Sequence, residues 1–269
     1  MDTLVLERYA KRKNTNVKKI EIIPIPLTKD IKPHDPLNVL IFKAIKASQN
    51  KLVDNDILVI AHKIISKAEG RIVNLIDVEP SSESDKIAEE NCKDARVIEI
   101  ILNESKEIVR LSNGIIITET RHGFICANAG VDQSNVEDSF NNVLLLPIDA
   151  DRSARNIRQF FKKRTGKRIA VIITDTFGRP FREGQTNVAI GVAGIEPIKS
   201  YIGLADMYGK QLRVTEIAAA DEIASAAELA MGKSARVPAV IIRGYNYRST
   251  EKKSQISKLI RPKTQDLFR

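Results

Sequence analysis

The stretch Ala-Val-Ile-Ile-Thr-Asp-Thr-Phe-Gly-Arg, residues 170–179, gives the strongest structural signal in this sequence of 269 residues. Its first half is apolar and rich in β-branched side chains, which predicts a core strand over residues 170–174. Its second half is polar and contains a glycine, which predicts a Gly-rich polar loop that begins at Asp175 and runs into a further apolar segment by residue 195. A carboxylate at the end of a core strand is well placed to reach into a crevice.

Further strands and helices flank this stretch. The length allows one large domain or two subdomains, and the absence of a low-complexity linker predicts that any subdomains are interleaved. Apolar runs predict strands at residues 20–27, 57–61, 115–118 and 237–242. Helical periodicity predicts helices at residues 36–48, 151–165 and 215–231, with two more inside 83–108.

Composition narrows the class of partner. The chain has 43 Lys and Arg against 34 Asp and Glu, a net charge of +9, which suits either a nucleic acid or an anionic small molecule. Its basic clusters are scattered and lack interleaved aromatic residues, so we expect no nucleic-acid partner. No apolar run approaches the ~18 residues of a membrane span and no secretory signal is evident, so we expect a cytoplasmic protein with no membrane partner. The two cysteines, Cys92 and Cys126, are expected to be reduced thiols.

The polar end of residues 170–179 carries the first candidate chemistry. Oxygen atoms of Asp175 and Thr176 suit a hard cation such as magnesium or manganese. Arg179 and Arg182 offer planar donors for a phosphate or carboxylate and could stabilise developing charge. The alternative is an ordinary turn in which Asp175 caps its own backbone.

Residues 128–135, Asn-Ala-Gly-Val-Asp-Gln-Ser-Asn, form a second candidate segment. Small residues let a ligand approach the backbone, and Asp132 could be a second metal-facing carboxylate. Asn135 can both donate to and accept from a base or a sugar. A loop capped by its own Asn and Asp side chains explains the same composition equally well.

Residues 62–70 follow a predicted strand and present two lysines. Lys63 and Lys67 are i,i+4 neighbours whose like charges repel, which slightly favours an anionic partner. His62 could act as a base, although a structural histidine is the commoner case. The alternative for the whole segment is a solvated helix start.

The sequence Met231-Gly232-Lys233-Ser234 is similar to the end of a phosphate-binding P-loop motif. A P-loop needs a glycine five residues before Gly232, where this chain has Ala227, so a P-loop nucleotidase is rejected. The glycine is expected to end a helix. Together, the candidate segments suit a metal-held nucleoside triphosphate and a phosphate-bearing acceptor.

The order of longer motifs adds a resemblance. They are SKAEGR at 66–71, TETRHGFICANAGVDQSNV at 118–136, ITDTFGRPFREGQTNVAIGVAGI at 173–195, DMYGKQLRVTE at 206–216, ADEIASAAELAMGK at 220–233 and VPAVIIRG at 237–244. This order closely resembles the coenzyme F420-0:L-glutamate ligase family, the F420 gamma-glutamyl ligases. The resemblance implies a ligase-like domain over residues 20–248, with a basic N-terminal extension at 1–19 and a charged tail at 249–269.

The resemblance also implies a fold and a reaction. The fold is α+β, with two interleaved α+β subdomains in an intertwined homodimer. The enzyme is an acid–amino-acid ligase that uses GTP, magnesium or manganese at two sites, and potassium. Phosphoryl transfer from GTP activates the lactyl carboxylate of coenzyme F420-0, and the amine of L-glutamate then displaces phosphate. Later glutamates are gamma-linked.

Site residues are implied position by position. Metal-binding positions correspond to Asp132, Asp175 and Thr176. Positions that line the GTP site correspond to Pro24, Ile25, Pro26, Leu27, His62, Lys63, Lys67, Asn135, Met231, Gly232, Lys233 and Ser234.

Lys233 departs from relatives that carry an acidic metal ligand at this position, because an ammonium group cannot ligate a metal. Either the second metal site is built differently in this chain, or Lys233 contacts phosphate. Two other functions remain open on the sequence: an amide ligase of the same fold with a different acceptor, and a nucleotide-binding protein without catalysis.

Overall fold

The computed structural model describes residues 19–251 and 255–267. Its strands are β1 Glu21–Ile25, β2 Ile57–Ala61, β3 Ile72–Asn74, β4 Ser105–Ser112, β5 Ile115–Thr120, β6 Ile125–Ala127, β7 Asn142–Leu144, β8 Ala170–Arg179, β9 Arg182–Ala193, β10 Lys199–Ser200, β11 Glu216–Ile217 and β12 Ala239–Arg243. Its α-helices are α1 Leu37–Ala47, α2 His62–Ala68, α3 Ser82–Asn91, α4 Ala95–Glu104, α5 Ala150–Thr165 and α6 Ala219–Met231.

A five-stranded sheet in the order β1-β12-β2-β8-β9 forms the centre of the fold. Strands β2 and β8 pair in parallel, whereas the other neighbours are antiparallel. Strands β1, β2 and β8 therefore run in the same direction, and their carboxyl ends lie at one edge of the sheet. Parallel strands with both faces covered are continuous apolar runs, which is what the sequence of β2 and β8 provides.

Helices cover both faces of this sheet. On one face, Ile173 and its neighbours pack with Phe161 of α5 and Ile41 of α1. On the other face, Ile172 belongs to the cluster that contains Ala224 of α6. Successive side chains of a strand point to opposite faces, so the run of β8 supplies both cores.

Helix α5 begins and ends where its sequence predicts. Asp149 accepts a hydrogen bond from the backbone N–H of Arg152 and so caps the first turn. Gly166 ends the helix with φ of 72°, a left-handed conformation that favours glycine.

A smaller α+β unit lies beside the central sheet. Strands β4, β5 and β6 form an antiparallel sheet, and α3 and α4 pack on it through a cluster that includes Ile98, Ile101 and Ile116. The short pair β3–β7 and the ribbon β10–β11 complete the described sheets. The predicted α+β class is confirmed, whereas the interleaved subdomains, the domain boundaries and the homodimer stay predictions.

Two sequence predictions were wrong. The Gly-rich loop predicted from Asp175 onward is instead a long hairpin, since β8 continues to Arg179 and pairs with β9 as far as Arg182. Backbone hydrogen bonds stabilise this hairpin where its side chains are polar, so apolar patterning gives no signal there. The helical segments predicted up to residue 108 end at Glu104, and β4 follows at once.

The ends of the chain are described only in part. The predicted basic extension lies outside the described residues, apart from Lys19. In the tail, residues Ile256–Leu259 and Lys263–Gln265 form single 3-10 turns. No helix of the described chain is long and apolar enough to cross a membrane.

Gly191 tests how tightly α5 packs on the sheet. An added Cβ at Gly191 would lie 2.5 Å from the carbonyl carbon of Ala150, the first residue of α5. We expect Gly191→Ala to lower the free energy of unfolding by roughly 1–3 kcal/mol, because helix and strand must separate. Urea denaturation measures this. Gly178→Ala is the matched control, since nothing lies within 4 Å of its added Cβ, and equal midpoints for the two variants would contradict the packing.

Candidate active site

One edge of the central sheet collects most of the predicted site segments. The carboxyl ends of β1, β2 and β8 lie there, beside the amino end of β12. The segment before β12 is tied to its neighbours, because the N–H groups of Leu27 and Ala61 donate to the carbonyls of Arg236 and Pro238, both at 2.9 Å. This edge therefore brings residues 24–27, the start of α2 and residues 231–238 into one region.

His62 and Asp175 are adjacent because of strand register. Ala61, the last residue of β2, pairs with Thr174 of β8, so the next residues of the two strands lie side by side. His62 Nε2 lies 3.1 Å from Asp175 Oδ1, and Nδ1 lies 3.3 Å from the hydroxyl of Ser66. The imidazole is 2% exposed, and its Nε2 has no well-aligned hydrogen bond, since the contact with Asp175 satisfies distance but not angle. The ring is thus fixed between helix α2 and the end of β8.

Lys63, the next residue of α2, pairs with Asp132. Its Nζ lies 2.6 Å from Asp132 Oδ2, and it also donates to the hydroxyl of Ser134. The backbone of Asp132 exchanges two hydrogen bonds with Leu144 at 3.0 and 2.8 Å, which fixes its position. Asp175 and Asp132, which are distant in sequence, therefore contact His62 and Lys63, the first two residues of α2.

The electrostatic state of Asp132 follows from these contacts. Burial by itself would raise its pKa, but the Lys63 ammonium and the hydrogen bonds from the N–H and hydroxyl of Ser134 outweigh burial and hold the pKa below its usual range. Asp132 is accordingly a carboxylate at neutral pH. A charged carboxylate is the form that binds a divalent cation.

Thr176 belongs to a hydrogen-bonded network on the adjacent strand and helix. Its hydroxyl donates to Asn187 Oδ1 at 2.7 Å and accepts from Lys233 Nζ at 2.7 Å. Glu228 of α6 accepts from Asn187 Nδ2 at 3.0 Å and pairs with Lys233 at 2.9 Å. The Lys233 ammonium therefore lies between a hydroxyl and a carboxylate, both of them oxygen ligands that a hard cation prefers.

Sequence reasoning missed Asn187 and Glu228. Asn187 lies in a segment that the sequence predicts as a loop and that is in fact β9. Glu228 lies in the predicted helix at residues 215–231, to which no site residue before Met231 was assigned. A hairpin partner opposite Thr176 would have pointed to Asn187, since Thr176 and Asn187 are directly paired in the β8–β9 register. Glu228 precedes Lys233 by five residues, so the predicted nucleotide-contacting segment at 231–234 is the signal that could have pointed to it.

Lys67, one turn further along α2, is a buried lysine that pairs with an exposed carboxylate. Its ammonium lies 2.9 Å from Asp30, and only 10% of its side chain is exposed. The hydrogen bond from Lys67 holds the pKa of Asp30 below its usual range, although partial burial opposes this. Asp30 was not predicted from sequence.

The other predicted positions fall into two groups. The side chains of Ile25, Leu27 and Met231 are buried in the core, so these residues can meet a ligand only through their backbone. Residues that remain exposed at the surface are Pro24, Pro26, Asn135, Gly232, Lys233 and Ser234.

Arg179 and Arg182 lie at the tip of the β8–β9 hairpin. Arg179 donates to the carbonyl of Glu183 at 2.8 Å, within the hairpin itself. Four residues of extended strand separate Arg179 from Asp175, which is about 13 Å along the chain. The catalytic role of both arginines stays a prediction.

The donor set fits a hard divalent cation. Asp132, Asp175 and Thr176 offer carboxylate and hydroxyl oxygens, which suit magnesium or manganese. Within the described residues, no group of three or more His, Cys, Asp or Glu is arranged to hold a metal. A cation here would therefore complete its coordination with water and phosphate oxygens, as magnesium commonly does beside a nucleotide.

Comparison with known proteins identifies the family of this chain. The model of the F420-0:Gamma-glutamyl ligase family matches residues 27–244. This chain belongs to that family. The acid–amino-acid ligase class expected from the sequence is thereby confirmed.

Relatives over most of the chain share one name, coenzyme F420:L-glutamate ligase. The protein of Methanothermobacter thermautotrophicus is 48% identical over 236 residues, which cover 87% of this chain and 93% of the relative. The protein of Methanopyrus kandleri is 44% identical and covers 93% of this chain and 98% of the relative. The protein of Methanocaldococcus jannaschii is 45% identical over 223 residues, which cover 82% of this chain and 88% of the relative.

Cys126 reports on the position of Asp175. Burial and the nearby Asp175 carboxylate raise the pKa of Cys126 to about 12, whereas Cys92 is exposed. Because only the thiolate is nucleophilic, we expect Cys126 to resist iodoacetamide at pH 8. In a Cys92→Ser variant, mass spectrometry should find no label on the native protein and one label after denaturation. Rapid labelling of the native variant would show that Cys126 is not buried beside Asp175.

Proposed function

We propose that this protein is a GTP-dependent ligase that attaches L-glutamate to the lactyl carboxylate of coenzyme F420-0, with gamma-linkage of any later glutamate. The observation that carries the proposal is the convergence of Asp132 and Asp175 on His62 and Lys63, at the sheet edge where residues 24–27 and 231–238 also meet. Family membership and the shared name of the relatives support the substrates.

The residues of the site take the following roles in this proposal. Asp132, Asp175 and Thr176 hold magnesium or manganese, which when bound neutralises the triphosphate and aligns the transfer. Lys63 in the first turn of α2 and Lys67 in its last turn present ammonium groups for the phosphates of GTP. His62 positions Asp175, since the buried ring contacts that carboxylate and is held by Ser66.

The chemistry proceeds in two balanced steps. An oxygen of the lactyl carboxylate attacks the γ-phosphorus of GTP, the bond to the β-phosphate oxygen breaks, and GDP leaves. The amine of glutamate then attacks the acyl carbon, loses a proton and expels phosphate to leave the amide. An amide cannot form directly from a carboxylate at a useful rate, because oxide is a poor leaving group, and the acyl phosphate supplies a better one. The protein contributes mainly alignment and charge stabilisation.

Lys233 modifies the metal requirement that the resemblance implies. Its ammonium already contacts Thr176 and Glu228, so a positive charge lies where a second divalent ion would need ligands. The second metal site, the potassium ion and the homodimer remain proposals that rest on family resemblance. The cytoplasmic location remains a proposal that rests on the sequence, in which no membrane span and no secretory signal is evident.

The assay that tests the activity uses the intact chain with coenzyme F420-0, L-glutamate, GTP and manganese. We expect mass spectrometry to detect the glutamyl amide together with GDP and phosphate, and omission of any one component to abolish product. If product formed only with a different carboxylic acid in place of coenzyme F420-0, the protein would be an amide ligase for that other acceptor. GTP binding without product from any acceptor would instead identify a nucleotide-binding protein without catalysis.

Asp175→Asn tests the role of the carboxylate that follows the core strand. The substitution keeps shape and removes the charge, so we expect ligase activity to fall by ~100-fold or more while the thermal midpoint changes little. Asp77→Asn is the control, because Asp77 is an exposed aspartate in a 3-10 turn away from the site. Near-normal activity of Asp175→Asn in excess manganese would count against Asp175 as a ligand.

A further inference from the structure

A cavity of about 380 Å³ lies beside Asp132, and neither His62 nor Asp175 is among the residues that line it. Residues from the connection between α3 and α4, from α4 itself and from the 128–133 loop line it. Its volume is within the range of small-molecule sites, ~300–1,000 Å³, but at the lower end of that range. Asp132 lines this cavity and also pairs with Lys63, so the cavity shares a residue with the candidate metal site.

The charges in the cavity are unbalanced. The carboxylate of Asp94 is engaged by the guanidinium of Arg96 at 2.6 Å, and that of Asp132 by Lys63 at 2.6 Å. Lys93 also lines the cavity, and among the described residues it has no ion pair. A cation without a partner in a concave site favours an anionic group on the ligand.

Asn128 supplies a second, independent requirement. It lines the cavity, and its Oδ1 is buried without a hydrogen-bond partner. An unsatisfied buried acceptor is costly unless a donor reaches it, so a ligand with an N–H group would be stabilised there.

The floor of the cavity is apolar. Val97 and Ile101 of α4 contribute to it, and Ile101 is 1% exposed. An aliphatic segment between polar ends therefore matches the lining. A dicarboxylic α-amino acid combines an ammonium group, short methylene chain and carboxylates in a molecule of this size.

We propose that this cavity is the subsite for the amino-acid nucleophile, with Lys93 pairing with a carboxylate of L-glutamate and Asn128 accepting from its amine. The inference rests on the proposed ligase function and adds the location and recognition of one substrate. In this position the amine lies next to Asp132, hence next to the phosphates that the metal site would hold. The acceptor fits less well, because coenzyme F420-0 brings no ammonium group to the unsatisfied oxygen of Asn128.

Kinetics of Lys93 variants test this subsite. We expect Lys93→Gln to raise KM for glutamate by ~10-fold or more, because one charge-assisted hydrogen bond is lost. KM for GTP and KM for coenzyme F420-0 should stay unchanged. Lys93→Arg keeps the charge and should recover most of the affinity. Lys86→Gln is the matched control, since Lys86 is an exposed lysine on the preceding helix. Unchanged KM for glutamate in Lys93→Gln would overturn the proposal, and a raised KM for coenzyme F420-0 instead would assign the cavity to the acceptor.

A binding measurement separates this inference from the proposed function. Saturation-transfer NMR should detect L-glutamate bound to the wild-type protein and lose that signal in Lys93→Gln, with thermal melting to confirm that the variant is folded. A wild-type protein that binds glutamate in this way but makes no amide would refute the ligase proposal and keep the subsite. An active ligase whose glutamate signal is the same in Lys93→Gln would refute the subsite alone.

Discussion

The parallel pairing of β2 with β8 is the constraint on which the site depends. It places the residue after Ala61 beside the residue after Thr174, and so sets the buried His62 against Asp175. A shift by one residue would turn Asp175 to the other face of the sheet and break this contact. The apolar run of β8 therefore has two functions: it fills both cores, and it fixes where the polar end of the strand emerges.

Positive side chains balance the carboxylates of the site. Lys63 faces Asp132, Lys67 faces Asp30, and Lys233 faces Glu228. Hydrogen bonds from Lys63 and Lys67 help to hold the pKa values of Asp132 and Asp30 below their usual range, against the effect of burial. These two carboxylates are therefore charged before any cation binds.

Sequence reasoning located strands β1, β2, β5, β8 and β12, most helices and the residues around Asp132 and Asp175 because each carries a local signal. Apolar runs mark β2, β8 and β12, and Gly166 marks the end of α5. The hairpin after Asp175 was missed because polar strands are stabilised by backbone pairing, which leaves no hydrophobic period. Glu228 was missed, although it lies five residues before Lys233, because its contact with Asn187 depends on the packing of α6 on β9.

The most direct test of the account is a crystal structure with manganese and a non-hydrolysable GTP analogue, in which anomalous scattering locates the metal. The account predicts a manganese ion with oxygens of both Asp132 and Asp175 among its ligands, at ~2.0–2.2 Å for ions of this kind. A metal bound at another edge of the sheet, or one that contacts neither carboxylate, would contradict it.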